Sequence, residues 1–280
     1  VFFHPWKNDF SEARNYSLKF PTCEWVLILD ADEEVSQQFQ EAIRNFLENL
    51  PRDVNTVYLP TVNYLDWNFK QVETASTARI FRNGTVYYKN IVHNQPVYKP
   101  KVIQAPYIIY HYGYIWTRRL REAKYNRTRN LIIKHLKDVR NPIEKIYYLV
   151  QLYKTESIGK HVHRKYDSAW RAFQEIKNVK KIPAIGLEFL FLFGLDCVNA
   201  DLLKLAKVLF ETAIKSSPKY PDPYFGMLAL YEREEKWEEA IKWGEKFIEV
   251  FNKAMNNIEK FEWTVMSMKF LASAHGVLAR

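Results

Sequence analysis

The spacing of apolar positions divides the chain near residue 117. Before that point, short apolar runs of strand length alternate with longer amphipathic stretches. Residues 1–3 predict a strand, 10–20 a helix stopped by Pro21, 25–29 a second strand and 36–50 a second helix. β-rich runs follow at 57–63, 78–81 and 85–88, with Asn83-Gly84 as a hairpin turn between the last two. An aromatic run at 103–112 predicts a last strand. This alternation is that of an α/β sheet domain.

From Arg118 the period becomes helical and stays so. Residues 118–137 predict one helix, ended near Asn141-Pro142. Beyond it the sequence repeats itself. A shift of 34 residues superposes Phe191 on Phe225, Leu195 on Ala229, Ala206 on Ala240 and Phe210 on Gly244. Pro223-Tyr224-Phe225-Gly226 through Trp237-Glu238-Glu239-Ala240 reads like a tetratricopeptide unit, and Tyr166-Asp167-Ser168-Ala169 like the tail of an earlier copy. Small residues at Ala206 and Ala240 let paired helices approach closely, and stacked repeats bury faces that one unit leaves exposed. An irregular helical bundle is the plainer alternative. The expected division is a sheet domain over 1–116 and an all-α domain with tetratricopeptide-like repeats over 117–280.

The apolar run at 25–29 ends in Asp30-Ala31-Asp32. A buried strand ending in two acids delivers carboxylates to the carboxyl edge of a sheet, where open α/β sheets bind their ligands. Side chains alternate along a strand, so Asp30 and Asp32 face the same way as long as the extended geometry persists. Two such carboxylates suit a hard divalent cation, which takes oxygen ligands and bridges to phosphate. The plainer reading makes Asp32, Glu33 and Glu34 charges at the start of the helix that follows.

The flanking residues add to the first reading. Upstream stands Asp9-Phe10-Ser11-Glu12-Ala13-Arg14-Asn15; downstream come Ala78-Arg79-Ile80-Phe81-Arg82, Val92-His93 and Tyr110-His111-Tyr112-Gly113-Tyr114. In this order the set resembles the family 2 glycosyltransferases of GT-A fold, in the branch whose catalytic domain runs into tetratricopeptide-like helices. The peptide S-glycosyltransferases of the sublancin type lie in the same broad group. The resemblance covers about residues 1–130 by motif and the remainder by architecture. Two departures stand out. Val1 already falls inside the family's third strand, so the first half of the nucleotide site is expected to be missing from this sequence, and Asn94 stands where the family often has Glu.

The resemblance implies a nucleotide-sugar donor, with UDP-hexose the commonest, and an inverting transfer to a peptide, lipid-linked or polysaccharide acceptor. Asp32 would hold Mn²⁺ or Mg²⁺ against the diphosphate, and Asp30 would contact the ribose or share the metal. His111 would be a third ligand or a donor to phosphate; the alternative is a structural histidine among Tyr110, Tyr112 and Tyr114. His93 is the candidate general base, with Asp66 of the 64–68 loop as rival base or plain turn residue. Positions three apart on a strand face opposite sides, so only one of Arg79 and Arg82 points into the site, and Arg79 holds the family's position. Arg14-Asn15 is expected to close its helix against the sheet.

Composition sets outer bounds. Hydrophobic residues make up 48% and charged residues 26%, the balance of a globular protein without a membrane span. Cys23 and Cys197 are too few and too scattered for a disulfide framework or zinc site, which fits a reducing cytosol. The net charge of +9 is densest at Arg118, Arg119, Arg121, Lys124, Arg127 and Arg129. That stretch is a solvated helix face or a contact for phosphates or the inner membrane surface; no groove-reading motif points to nucleic acid. The helical repeats would bind a protein partner, self-associate or dock the acceptor. Two rivals remain: a different metal-dependent nucleotidyl or phosphoryl transferase, and an inactive glycosyltransferase-like scaffold.

Overall fold

The computed structural model describes residues 2–115 and 117–255. The chain divides into two compact units, Val1–Ile132 and Ile133–Arg280. Val1 of the expected first strand and residues 256–280 of the expected helical domain lie outside the described residues.

In the first unit, helix α1 (Phe10–Ser17) starts where the Asp9 carboxylate accepts the Glu12 N–H at 3.0 Å. The chain then forms β1 (Trp25–Leu27), β2 (Glu33–Val35), α2 (Gln37–Glu48), β3 (Thr56–Tyr64), β4 (Val72–Arg82), β5 (Val86–Lys89), β6 (Gln95–Tyr98), β7 (Val102–Gln104) and β8 (Ile109–His111). Six of these strands make one mixed sheet in the order β1-β4-β3-β8-β2, with β7 also beside β3. β3 is its axis: antiparallel to β4 along its whole length, and parallel to β7 at Thr56–Tyr58 and to β8 at Thr61–Asn63. Ser36 caps α2 by accepting the Phe39 N–H at 3.2 Å. The helix lays Phe39, Ala42, Ile43, Phe46 and Leu47, one helical stripe, on Val57, Leu59, Ile80 and Ile109.

β5 and β6 form a separate two-stranded sheet. Asn15 ties it to α1, its amide donating to the Tyr88 carbonyl at 2.8 Å and accepting the Tyr88 N–H at 2.7 Å. Arg118–Leu136 forms α3, as expected, and the division between units falls inside it.

Several expectations are corrected. Phe2 and Phe3 form no strand; Phe2 stacks on Phe20 at 3.7 Å instead of joining a ladder. Asn83-Gly84 does form a turn, with Gly84 at φ +77°, but it does not close a hairpin. The Asn83 amide is held by the Pro21 and Cys23 carbonyls, and β5 finds its partner in β6. The run at 103–112 breaks into β7 and β8 around Pro106, which has no N–H to give a ladder. Acids 33 and 34 lie in β2 rather than in the first turn of α2.

The second unit contains α4 (Pro142–Ile158), α5 (Val162–Lys177), α6 (Ala184–Asn199), α7 (Leu203–Ser216), α8 (Asp222–Arg233) and α9 (Trp237–Met255). Asn141 caps α4, accepting the Ile143 and Glu144 N–H groups, with Pro142 at the first helical position. The shift of 34 places Phe191 and Phe225 at buried positions of α6 and α8, and Ala206 and Ala240 at buried positions of α7 and α9. The Phe210 ring of α7 lies against Gly194 of α6 and Gly226 of α8, so closely that a Cβ at either glycine would overlap it. Among the described residues no helix is long and apolar enough to cross a membrane.

Candidate active site

The acidic motif joins opposite edges of the sheet. β1 and β2 are the outermost strands, and residues 28–32 carry the chain between them. The sheet curls to allow it: Arg79 of β4 reaches Glu33 of β2 although β3 and β8 lie between. Three inter-strand steps would separate them by about 14 Å in a flat sheet.

The extended geometry ends before the acids. Ile28 N–H still donates to the Arg79 carbonyl at 2.9 Å, but the chain then turns, with Glu33 N–H donating to the Asp30 carbonyl at 3.0 Å. Asp30 and Asp32 therefore acquire different partners.

Asp30 belongs to a four-residue charge cluster. Its Oδ1 accepts from Arg14 Nη2 at 2.5 Å, and Arg79 Nη1 stands 4.0 Å from its Oδ2. Arg79 also pairs with Glu33, whose side chain is 1% exposed, and its Nε donates to Thr77 Oγ1 at 3.0 Å. Glu33 in turn accepts the Asp30 N–H at 2.9 Å. Arg82 takes the other side of β4: it pairs with Glu24, donates to the Val54 carbonyl and covers the Trp25 ring at 4.4 Å. Arg14 also lies over the Tyr88 ring at 5.2 Å, and burial raises the phenol's pKa, so Tyr88 stays neutral.

Asp32 faces His111. The Asp32 carboxylate, about half exposed, lies 3.6 Å from His111 Nε2. The opposite ring nitrogen, Nδ1, meets Asn63 Oδ1 at 2.8 Å, and an amide oxygen can only accept. That contact orients the ring so that Nε2 faces Asp32. Gly113 completes the pocket, since a Cβ there would overlap both Asp32 Oδ2 and His111 Nε2. Lys124 Nζ donates to the Gly113 carbonyl at 2.9 Å. Of the three tyrosines around it in sequence, only Tyr114 packs on His111, edge-on at 4.9 Å. Tyr110 and Tyr112 point to the other face and stack on Tyr64.

Two ligands of one divalent cation at about 2.1 Å stand roughly 3 to 4 Å apart, and Asp32 Oδ2 and His111 Nε2 have that separation. The Asn63 bond is the outer contact that metal-bound histidines require. Among the described residues no three His, Cys, Asp or Glu side chains converge on one point. A cation here would take its remaining ligands from phosphate and water, as magnesium prefers.

His93 lies on the loop between β5 and β6, exposed, with φ +48°. Asp66 lies in the β3–β4 turn, where its Oδ1 accepts the Lys70 and Gln71 N–H groups at 2.9 and 3.4 Å. Sequence reasoning missed Asn63 and Glu33 as site residues and gave Arg14 only a packing role. Their decisive partners are far away in sequence: Asn63 meets His111, Glu33 meets Arg79 and Arg14 meets Asp30.

The comparisons with known proteins bear on the same residues. Residues 1–137 match the model of Glycosyl transferase family 2. The match spans just under half of the chain and makes this region similar to the family 2 glycosyltransferases. The glycosyltransferase SunS, of Bacillus subtilis strain 168 and of Bacillus phage SPbeta, is 29% identical over 135 residues, covering 46% of this chain and 31% of the relative. A TPR repeat-containing protein of Synechococcus elongatus is 35% identical over 78 residues, 28% of this chain and 18% of that protein. The chain thus spans about a third or less of the length of these relatives.

The matched region carries its acidic loop, Arg79 and His111 on one curled sheet, and helices follow it in the chain. Two clefts flank α1, of 550 and 350 Å³, and the 28–32 loop lines neither.

Proposed function

We propose that the chain is a metal-dependent glycosyltransferase that moves a sugar from a nucleotide-sugar, UDP-hexose being the favoured donor, to a peptide, lipid-linked or polysaccharide acceptor. The observation that carries this reading is the Asp32–His111 pair, held 3.6 Å apart by Asn63 and Gly113 inside the region that matches family 2. A divalent cation bound there would offset the charge that develops on the departing diphosphate.

The chain's own residues would share the work. Asp32 and His111 Nε2 would face the diphosphate, Asp30 would accept from ribose or sugar hydroxyls, and Arg79 would hold Asp30 and Glu33 in place. In an inverting displacement the acceptor oxygen or sulfur attacks the anomeric carbon, the bond to the diphosphate breaks with its electron pair, and a base takes the acceptor's proton. His93 is the better candidate for that base, because it follows the Tyr87-Tyr88 strand at the position the family resemblance places beside the donor sugar, with Asp66 of the β3–β4 turn as its rival.

The test is nucleoside diphosphate release from a panel of UDP-, GDP- and dTDP-sugars with Mn²⁺, beside the Asp32→Ala variant. Release from one donor, abolished in the variant, supports the reading and names the nucleotide. Full metal-dependent turnover by Asp32→Ala would sink the assignment, and silence from the whole panel by a longer chain that includes the first half of the nucleotide site would favour an inactive scaffold.

A further inference from the structure

We infer that Arg14 withholds Asp30 from the divalent cation, so that among the described residues the acidic loop offers the cation Asp32, with His111 beside it. Arg14 is then a positioning residue for Asp30. The inference rests on the metal-dependent reading above.

The charge inventory leads to it. Three carboxylates, Asp30, Asp32 and Glu33, fall within four residues, and two guanidiniums meet them. Arg14 binds Oδ1 of Asp30, Arg79 approaches Oδ2, and Arg79 also neutralises the buried Glu33. Both oxygens of Asp30 therefore have a cationic neighbour, and one is in a short charge-assisted hydrogen bond. Asp32 is left facing a histidine nitrogen at 3.6 Å. The negative charge that remains in the motif is concentrated beside His111 Nε2.

Moving Asp30 to the cation would mean breaking its bond to Arg14. The Arg14 side chain is only 24% exposed and lies over Tyr88, so losing its carboxylate would strand a largely buried cation. The helix that delivers Arg14 cannot simply follow the acid, because Asn15 bonds both backbone groups of Tyr88 and the Ser11 hydroxyl donates to the Asn90 carbonyl at 2.6 Å. Since α1 is docked by these other bonds, Arg14 can be changed without releasing it. Its removal frees Asp30 to add a second carboxylate to the ion, and more ligand charge means tighter binding.

The experiment measures Mn²⁺ affinity of the full chain by electron paramagnetic resonance titration with UDP present, alongside thermal unfolding. Asp32→Asn is expected to weaken Mn²⁺ at least about tenfold, and Asp30→Asn to leave it within about twofold. Arg14→Ala is expected to tighten it by about three- to tenfold. That gain should vanish in the Arg14→Ala/Asp30→Asn double variant, and Arg14→Lys should return to the wild-type value. Unchanged or weaker binding in Arg14→Ala, with Asp32→Asn still defective, overturns the inference and leaves the metal-dependent reading standing. So does an Asp30→Asn loss as large as that of Asp32→Asn, a result that does not depend on the Arg14 variants folding. No Mn²⁺ binding by the wild type overturns both.

Discussion

Asn63 and His111, 48 residues apart, lie side by side on the parallel strands β3 and β8, and the amide oxygen of the first fixes the ring of the second at 2.8 Å. The bond decides which histidine nitrogen faces Asp32. Replacing Asn63 with Leu removes the acceptor while keeping a side chain of similar size. Mn²⁺ affinity in the presence of UDP should fall about 10- to 100-fold, the usual cost of losing an outer contact of a ligand histidine. An unchanged affinity would mean that His111 is not a ligand.

Gly113→Ala tests the same pocket from its floor. The added methyl would overlap Asp32 Oδ2 and His111 Nε2, and it would sit on backbone tied to Lys124. Turnover should fall by at least about tenfold because the reacting groups are displaced, which proximity alone accounts for. The unfolding temperature should move little, since both overlapping side chains are partly exposed. Normal activity would show that Asp32 and His111 can yield to a side chain at this position without loss of function.

In the helical unit the sensitive position is Phe210. Its fully buried ring packs on Gly194 and Gly226, so alanine at either glycine forces the ring to move within a closed core. Overpacking of this kind costs about 1–3 kcal/mol. Alanine's helix propensity returns about 1 kcal/mol at most. Both variants should therefore unfold at lower temperature by calorimetry, and Phe210→Leu should relieve Gly226→Ala in the double variant.

The two thiols should differ sharply. Cys23 is exposed, whereas Cys197 is fully buried and its pKa is pushed up to about 12, first by burial and then by the Asp196 carboxylate. One thiol per chain should react with a disulfide reagent in native buffer, and the second only after unfolding. The linkage has a definite sign. The buried thiol is neutral in both states below pH 9, and above it the unfolded chain ionises first. Stability from this group is complete below about pH 9 and declines as the pH rises toward 12. Two fast-reacting thiols would contradict the packing of α6.

These outcomes depend on contacts of very different legibility. The sheet-to-helix change near residue 117, helices α2 and α3, and the acid-tipped strand were readable because hydrophobic period and caps are local signals. The first half of β4 was not: Val72-Glu73-Thr74-Ala75-Ser76-Thr77 carries no apolar alternation, and only pairing with β3 makes it a strand. β2 was hidden for the same reason, since two glutamates read as helix-start charges until His111 and Tyr110 supply the ladder. The Asp30-Ala31-Asp32 string announced the loop, but the turn at Asp30 sent its acids to separate partners. Arg14 is sixteen residues from Asp30 and Arg79 forty-six from Glu33. Such pairs are written by topology rather than by spacing.

The most direct measurement is a crystal of the full chain grown with UDP and Mn²⁺, examined for anomalous scattering at the manganese edge. The account predicts one peak within bonding distance of an Asp32 oxygen and His111 Nε2, touching the diphosphate, with Asp30 still on Arg14. A peak held by other residues, or none at that pair while UDP is bound, would contradict it.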